Sequence, residues 1–226
     1  MSLLNPSKGA RGTKADGPNR HLIGHVSLAL VQAALREVGP AESWPVDKRD
    51  DHPRLNQGRS LILRNERHRD TPHRHRFASV ERLVEEVARL GFGSVPGKVL
   101  LASLPPGKVT KAHCDSGEYY KFHNRIHVPL VTAEGVTMTV ADEEFHMAVG
   151  DVYLFQNLRR HAVRNDSAIH RIHLIIDMLD PRYSPALYAR AARLLGINLF
   201  GCSSLYQRYG QLTARAATRG MEGKRA

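Results

Sequence analysis

The stretch KAHCDSGEYYKFHNRIHVPLV, residues 111–131, joins two metal-ligating residue types to an apolar, strand-like run. His113 and Asp115 stand next but one to each other. That spacing lets one strand end present an imidazole and a carboxylate to the same side. The pair alone proves little, because a chain with 13 histidines and 22 acidic residues produces it by chance. His68 and Asp70 repeat the spacing elsewhere in the chain. What decides the reading is the company that His113 and Asp115 keep.

That company is a series of short strands. KVLLASL, KVTKAH, NRIHVPLV, GVTMTVA, EFHMAV, DVYLFQN, HAVRN and RIHLIIDM are β-branched or alternating, and Gly, Pro, Asn and Asp separate them. Segments this short and this closely spaced predict a sandwich or a jelly roll and not a βαβ sheet. Helical patterns lie on either side. HLIGHVSLALVQAALREVG predicts a first helix that ends at Gly39 and Pro40, and SLILRN predicts a short strand. ERHRDTPHRHRF has no periodicity and reads as a solvated loop, with a lid over an anionic substrate as the minority reading. ASVERLVEEVARLGFG predicts an amphipathic helix capped by Ser79 and stopped by Gly91. SPALYARAARLLGI and SLYQRYGQLTARAA turn helical again near the C-terminus. The expected division is a flexible basic tail over 1–20, a helix-and-loop part over 21–98, a β core over 99–180 and a helical extension over 181–226.

Bulk composition bounds the function. At 226 residues, 42% hydrophobic and 24% charged, the chain matches an ordinary globular protein with one well-cored domain. Its apolar runs are strand-sized, no secretory signal opens the chain, and the only two cysteines are Cys114 and Cys202. These features predict a cytoplasmic protein without a membrane partner or a disulfide framework. The net charge of +11 raises the alternative of a non-catalytic basic nucleic-acid-binding protein. Much of that charge lies in the two tails, however, and neither RNA-recognition aromatics, zinc-finger spacing nor a helix-turn-helix signal accompanies it. A solvated basic surface that favours an acidic ligand is the better reading.

His161 opens HAVRN, a late strand some fifty residues after Asp115. Two histidines and one carboxylate on one octahedral face form the ligand set of a non-haem iron(II) centre, with positions left open for other ligands. Arg171 follows at the start of the last strand. A buried arginine is costly unless an anion meets it. His68 and Asp70, outside the strand region, have no such downstream partners.

LPPGKVTKAHCDSGEYYKFHNRIHVPL and VGDVYLFQNLRRHAVRNDSAIHRIHLIID, in that order, resemble the aspartyl/asparaginyl β-hydroxylase family of Fe(II)/2-oxoglutarate oxygenases. That family includes bacterial proline cis-hydroxylases and lipid A hydroxylases. The matching features are the Pro-Pro-Gly turn, the RIH strand, the Gly-Asp strand entrance, the His161–Asn165 segment and the terminal R.HLI.D. The resemblance covers roughly residues 99–180. It implies a double-stranded β-helix (a cupin-like jelly roll), mainly β with helical flanks.

It also implies a reaction. Fe(II), 2-oxoglutarate and O2 would hydroxylate an unactivated C–H bond of an amino acid, free or in a peptide or protein, with succinate and carbon dioxide as co-products. By the same resemblance His113, Asp115 and His161 are the catalytic metal ligands, Arg171 anchors the 2-oxoglutarate carboxylate and His127 approaches the co-substrate. Arg125 is the candidate for the substrate carboxylate. Animal aspartyl hydroxylases carry glycine where this chain has Asp115, so the full triad brings it nearer to the bacterial small-molecule members. A hydroxyl-bearing residue that helps hold the co-substrate in the animal enzymes is replaced by Ala102. A lipid A substrate fits less well, since no membrane anchor is visible. A cupin-like metalloenzyme that does not use 2-oxoglutarate is the remaining enzymatic alternative, and Arg171 speaks against it.

Other residues receive plainer readings. His127 is also readable as a satisfied core histidine, and Arg125 as a partly exposed strand residue. The alternation around His123, His170 and His173 predicts positions on the surface or one layer behind the ligands. Asn165 would order the turn after His161, and Asp177 would close a structural hydrogen bond. Cys114, between two ligands, would point to the opposite face and pack there.

Overall fold

A computed structural model describes residues 17–45, 57–93 and 95–181. The expected C-terminal helices, nearly all of the N-terminal tail and Cys202 lie outside the described residues. Ten strands and three helices form this part: β1 (Arg20–His25), α1 (Leu28–Val38), β2 (Arg59–Arg64), α2 (Ala78–Arg89), β3 (Pro96–Leu104), β4 (Lys108–His113), α3 (Glu118–Phe122), β5 (His123–Val131), β6 (Val136–Val140), β7 (Glu143–Phe145), β8 (Asp151–Phe155), β9 (His161–Asn165) and β10 (Arg171–Leu179).

The strands form two antiparallel sheets. The larger has the order β1-β8-β5-β10-β3-β2 and the smaller β4-β9-β6-β7. Strands distant in sequence therefore lie side by side, as a jelly roll requires. All eight strands expected between residues 99 and 180 are present. The larger sheet also takes in β1 and β2, from segments expected to lie outside the β core.

The strand β1 corrects the first expected helix, which starts only at Leu28. Residues 20–25 pair with β8 instead, in a register broken between Leu22 and Gly24. Ser27 then caps α1 by accepting from the Leu30 amide at 3.3 Å. Helix α2 begins at Ala78, and Ser79 is not its cap. Glu37 of α1 accepts from the Ser79 amide at 2.8 Å and from its hydroxyl at 2.5 Å. The cap thus comes from the neighbouring helix, a long-range contact that local sequence does not reveal. Gly39 and Gly91 follow the two helices at φ +70° and +84°, conformations that favour glycine.

Both helices cover one face of the larger sheet. Ile172, Leu174, Ile176 and Met178 of β10 join Ile126, Val128, Val99, Leu101, Leu61 and Leu63 in the core beneath them. The alternate residues of β10 (Arg171, His173, Ile175 and Asp177) point the other way, between the sheets. Every residue of β10 is buried. The strand carries one apolar face and one largely polar face, and both lie inside the protein.

The start of β3 fixes α3. A Cβ at Gly97 would collide with the Tyr119 hydroxyl and stand 2.9 Å from the His123 ring. Glycine there lets the Tyr119 hydroxyl come close to the strand, where it accepts from the Lys98 amide at 2.6 Å. No helix among the described residues is long and apolar enough to cross a membrane.

Candidate metal centre

His113 and His161 are direct partners across β4 and β9, where the ladder is irregular between Thr110 and His113. Their ring centroids are 4.2 Å apart. Each Nδ1 is tied to the backbone two residues earlier, His113 to the Lys111 carbonyl at 2.8 Å and His161 to the Arg159 carbonyl at 2.9 Å. A carbonyl only accepts, so each Nδ1 carries the proton and each Nε2 keeps a free lone pair. Burial and the neighbouring His113 hold His161 down, against the opposite pull of Asp115, to about 4. It is a neutral imidazole at neutral pH, the form that binds metals.

Asp115 completes the group from the segment after β4. Its Oδ2 accepts from Arg125 Nη1 at 2.5 Å and from Asn157 Nδ2 at 2.9 Å. The Asp115 amide also donates to the Asn157 carbonyl at 3.0 Å. These bonds leave Oδ1 turned toward His113 Nε2, 3.8 Å away. One ligand atom from each of His113, Asp115 and His161 lies within 4.8 Å of the other two, the one such group among the described residues. Two imidazole nitrogens and one carboxylate oxygen suit iron(II), and the orienting bonds behind each are those that metal ligands require.

Arg125 is buried, 9% exposed, and is occupied by carboxylates. Its Nε and Nη2 donate to the two oxygens of Asp177 at 2.8 and 2.9 Å, while Nη1 holds Asp115. The Tyr120 ring covers the guanidinium at 4.8 Å. Arg125 is therefore a strut beneath Asp115, its guanidinium occupied by two carboxylates, and not a partly exposed strand residue.

Arg171 stands at the other end of β10, about 20 Å from Asp177 at strand rise. It is 4% exposed, and no carboxylate among the described residues pairs with it. Its Nε lacks a partner, while Nη2 donates to His173 Nδ1 at 2.7 Å. Burial pushes the guanidinium down to about 9, which still leaves it cationic at neutral pH. His127 lies between the ends, packed on Phe155 at 4.8 Å and on His173 at 5.7 Å. Phe155 in turn meets His161 edge-on at 5.0 Å. Burial first, then Arg171, holds His127 well below its ordinary value, and its Nδ1 has no partner. A ligand that spans from the triad to Arg171 would pass this imidazole.

The remaining expectations divide. Asn165 orders its turn as expected: its amide donates to the Leu104 and Ile169 carbonyls at 2.8 and 2.9 Å, and its Oδ1 accepts from Ser167. Asp177 closes a structural pair with Arg125. Cys114 is exposed, so the expectation that it packs is corrected. His123 and His173 are 1% and 2% exposed and are not surface residues. Polar alternation marked the right face of β10, but that face is the inside of the roll. Asn157, fully buried, gave no signal in sequence at all.

His68 and Asp70 form no metal group. Asp70 pairs with Arg64 at 2.6 Å, and the His68 ring lies 5.3 Å from that of His123. The surrounding loop is not simply solvated, since Arg74 is buried and pairs with Glu81 at 2.6 Å.

Comparison with known proteins agrees with this geometry. The sequence profile of the aspartyl/asparaginyl β-hydroxylase family matches residues 31–181, more than half of the chain. No curated protein sequence matches. Among solved structures, the chain is similar to a prolyl hydroxylase from Trichoplax adhaerens in complex with a hypoxia inducible factor peptide fragment. The TM-score is 0.51 and the identity 12%, over 72% of this chain and 84% of that one. A Pseudomonas putida prolyl-4-hydroxylase matches at TM-score 0.48 and 14% identity, over 71% and 91%. A collagen prolyl hydroxylase of Paramecium Bursaria Chlorella virus-1, solved with 2-oxoglutarate, matches at 0.46 and 13%, over 73% and 99%. With the profile match across both sheets and a ligand triad suited to iron, the chain belongs to the aspartyl/asparaginyl β-hydroxylase family and is an Fe(II)/2-oxoglutarate-dependent hydroxylase.

Proposed function

We propose that His113 Nε2, Asp115 Oδ1 and His161 Nε2 hold the iron, and that Arg171 receives the distal carboxylate of 2-oxoglutarate. The observation that carries this reading is Arg171 itself. It is a buried cation without a counter-carboxylate, on the same inward face of the roll as the residues that back the triad. A charge in that position calls for an anion from outside the chain. His127 would lie along the co-substrate between the two ends.

Iron with 2-oxoglutarate and O2 supplies the oxidising power for C–H hydroxylation. The chain's residues supply position. Lys111 and Arg159 carbonyls aim the two imidazoles; Asn157 and Arg125 fix which oxygen of Asp115 is free. Phe155, Val163, Met138 and Met147 keep water from the interior. With Arg125 engaged by two aspartates, we assign it to hold Asp115 and not a substrate carboxylate.

The substrate class is an amino acid, free or in a peptide. The fold-sharing Trichoplax protein was solved with a peptide, which makes a peptide-borne residue the first class to test. Purified protein with Fe(II) should gain a visible charge-transfer band on anaerobic addition of 2-oxoglutarate. A screen of amino acids and peptides should then return a product one oxygen heavier, with matching succinate. Loss of the band in His161→Ala is expected. Unchanged succinate production by that variant would refute the ligand assignment, and no band in the wild type would favour a metalloenzyme that does not use 2-oxoglutarate.

A further inference from the structure

The cavity beside Arg171 contains more unsatisfied polar atoms than one arginine accounts for. Arg171 and His173 line it with Thr132, and Val136, Met138 and Met147 are among its apolar walls. Arg171 Nε, His173 Nε2 and Thr132 Oγ1 are all buried and without a hydrogen-bond partner. Orphaned buried polar atoms are rare in native proteins, and three around one cavity call for a shared ligand.

The tautomer of His173 follows from its neighbour. Guanidinium nitrogens only donate, so the 2.7 Å contact makes His173 Nδ1 the acceptor from Arg171 Nη2. A neutral imidazole then carries its proton on Nε2. Burial and the adjacent Arg171 charge keep the ring neutral. Nε2–H is therefore a donor with no acceptor among the described residues. Directly across the ladder from His173, β3 offers Ala102, whose methyl group can donate nothing.

We propose that His173 Nε2–H and the Thr132 hydroxyl join Arg171 as donors to the distal carboxylate of the co-substrate. One cation and two neutral donors match a carboxylate monoanion. The apolar walls exclude the water that a dianionic phosphate would keep. The proposal rests on the assignment of Arg171 to 2-oxoglutarate and deepens it. His173 and Thr132 are here specificity-determining contacts to the co-substrate.

The test compares two ligands with the same chelating end. 2-Oxoglutarate carries the distal carboxylate, and 2-oxopentanoate has a methyl group in its place. Each is titrated anaerobically into Fe(II)-loaded protein, with the charge-transfer band as readout. His173→Asn keeps an acceptor for Arg171 and removes the Nε2 donor. It should bind 2-oxoglutarate about tenfold or more weakly and 2-oxopentanoate as the wild type does. His173→Gln, with an N–H near the Nε2 position, should recover most of that loss. Thr132→Val should act as His173→Asn does, and Thr132→Ser should not.

Equal losses for both ligands in His173→Asn would mean a merely structural role and would overturn the proposal. So would unchanged binding of 2-oxoglutarate. If the wild type itself fails to discriminate the two ligands, the assignment of Arg171 fails first. With Zn(II) replacing iron, nitrogen-15 NMR should show His173 protonated at Nε2, its proton moving downfield on adding 2-oxoglutarate. A proton on Nδ1 would also overturn the proposal.

Discussion

Arg125 and Asp177 face each other in register across β5 and β10 and share two hydrogen bonds, of 2.8 and 2.9 Å. The third arm of the same guanidinium reaches Asp115. A continuous line of charge thus runs from the middle of the larger sheet to a carboxylate of the candidate metal group. Burial works against charge on Asp177, yet Arg125 holds its carboxyl below the usual carboxylate range. Burial opposes the charge on Arg125 as well, and the two aspartates outweigh it, raising the guanidinium well above its ordinary value.

Arg125→Ala leaves Asp177, fully buried, without its partner. Breaking a buried pair from one side costs about 3–5 kcal/mol, so the urea midpoint of the metal-free protein should fall sharply. Asp177→Asn keeps a hydrogen-bonding group and should cost less. An unfolding midpoint for Arg125→Ala equal to that of the wild type would show that the pair contributes nothing.

Asn157→Ala removes one of the two side-chain donors to Asp115 Oδ2 and leaves the strands intact. Losing such an orienting partner should weaken metal binding by about 10–100-fold. Calorimetry with Mn(II) measures this without turnover. Affinity as in the wild type would mean that Arg125 and the backbone suffice to hold the carboxylate.

Acid should destabilise the metal-free protein in a range set by histidines. Burial lowers His68 to about 3 and His161 to about 4, from 6.5, and it pushes His127 and His173 well below that value. Between those values and 6.5 the unfolded chain binds more protons than the folded one. Stability is therefore complete above about pH 6.5 and declines as pH falls, by up to about 1.4 kcal/mol per pH unit for each histidine. Thermal melts at about pH 7.5 and about pH 5 should differ by many degrees, and His173→Asn should narrow the gap. Melts that do not change over this range would rule the mechanism out.

Glu37→Ala should cost about 1 kcal/mol, the worth of a helix cap, because it strips α2 of the carboxylate that accepts from the Ser79 amide. The site is remote, so Mn(II) affinity should stay as it was. A loss of Mn(II) affinity would tie helix packing to the metal centre.

The eight strands after residue 99 and the order His113, Asp115, His161, Arg171 were legible in the chain because both are local matters. Strand alternation and turn residues repeat over a few positions, and the motif residues keep their order along the sequence. The start of α1 was misread for the opposite reason. RHLIGH has no strong preference of its own, and pairing with β8 makes it a strand. Ser79 likewise stood where a cap could stand, until Glu37 arrived from another helix.

By itself the sequence determined the family, the jelly-roll class and the identities of the ligand candidates. Only the tertiary structure decided what their neighbours do. It tied the Arg125 guanidinium to Asp115 and Asp177, brought Asn157 beneath the Asp115 carboxylate and placed His173 in the interior. The physical reason lies in β10, buried on both faces. A polar residue on an alternating strand reads as surface until a second sheet closes over it, and that closure depends on contacts between residues dozens of positions apart.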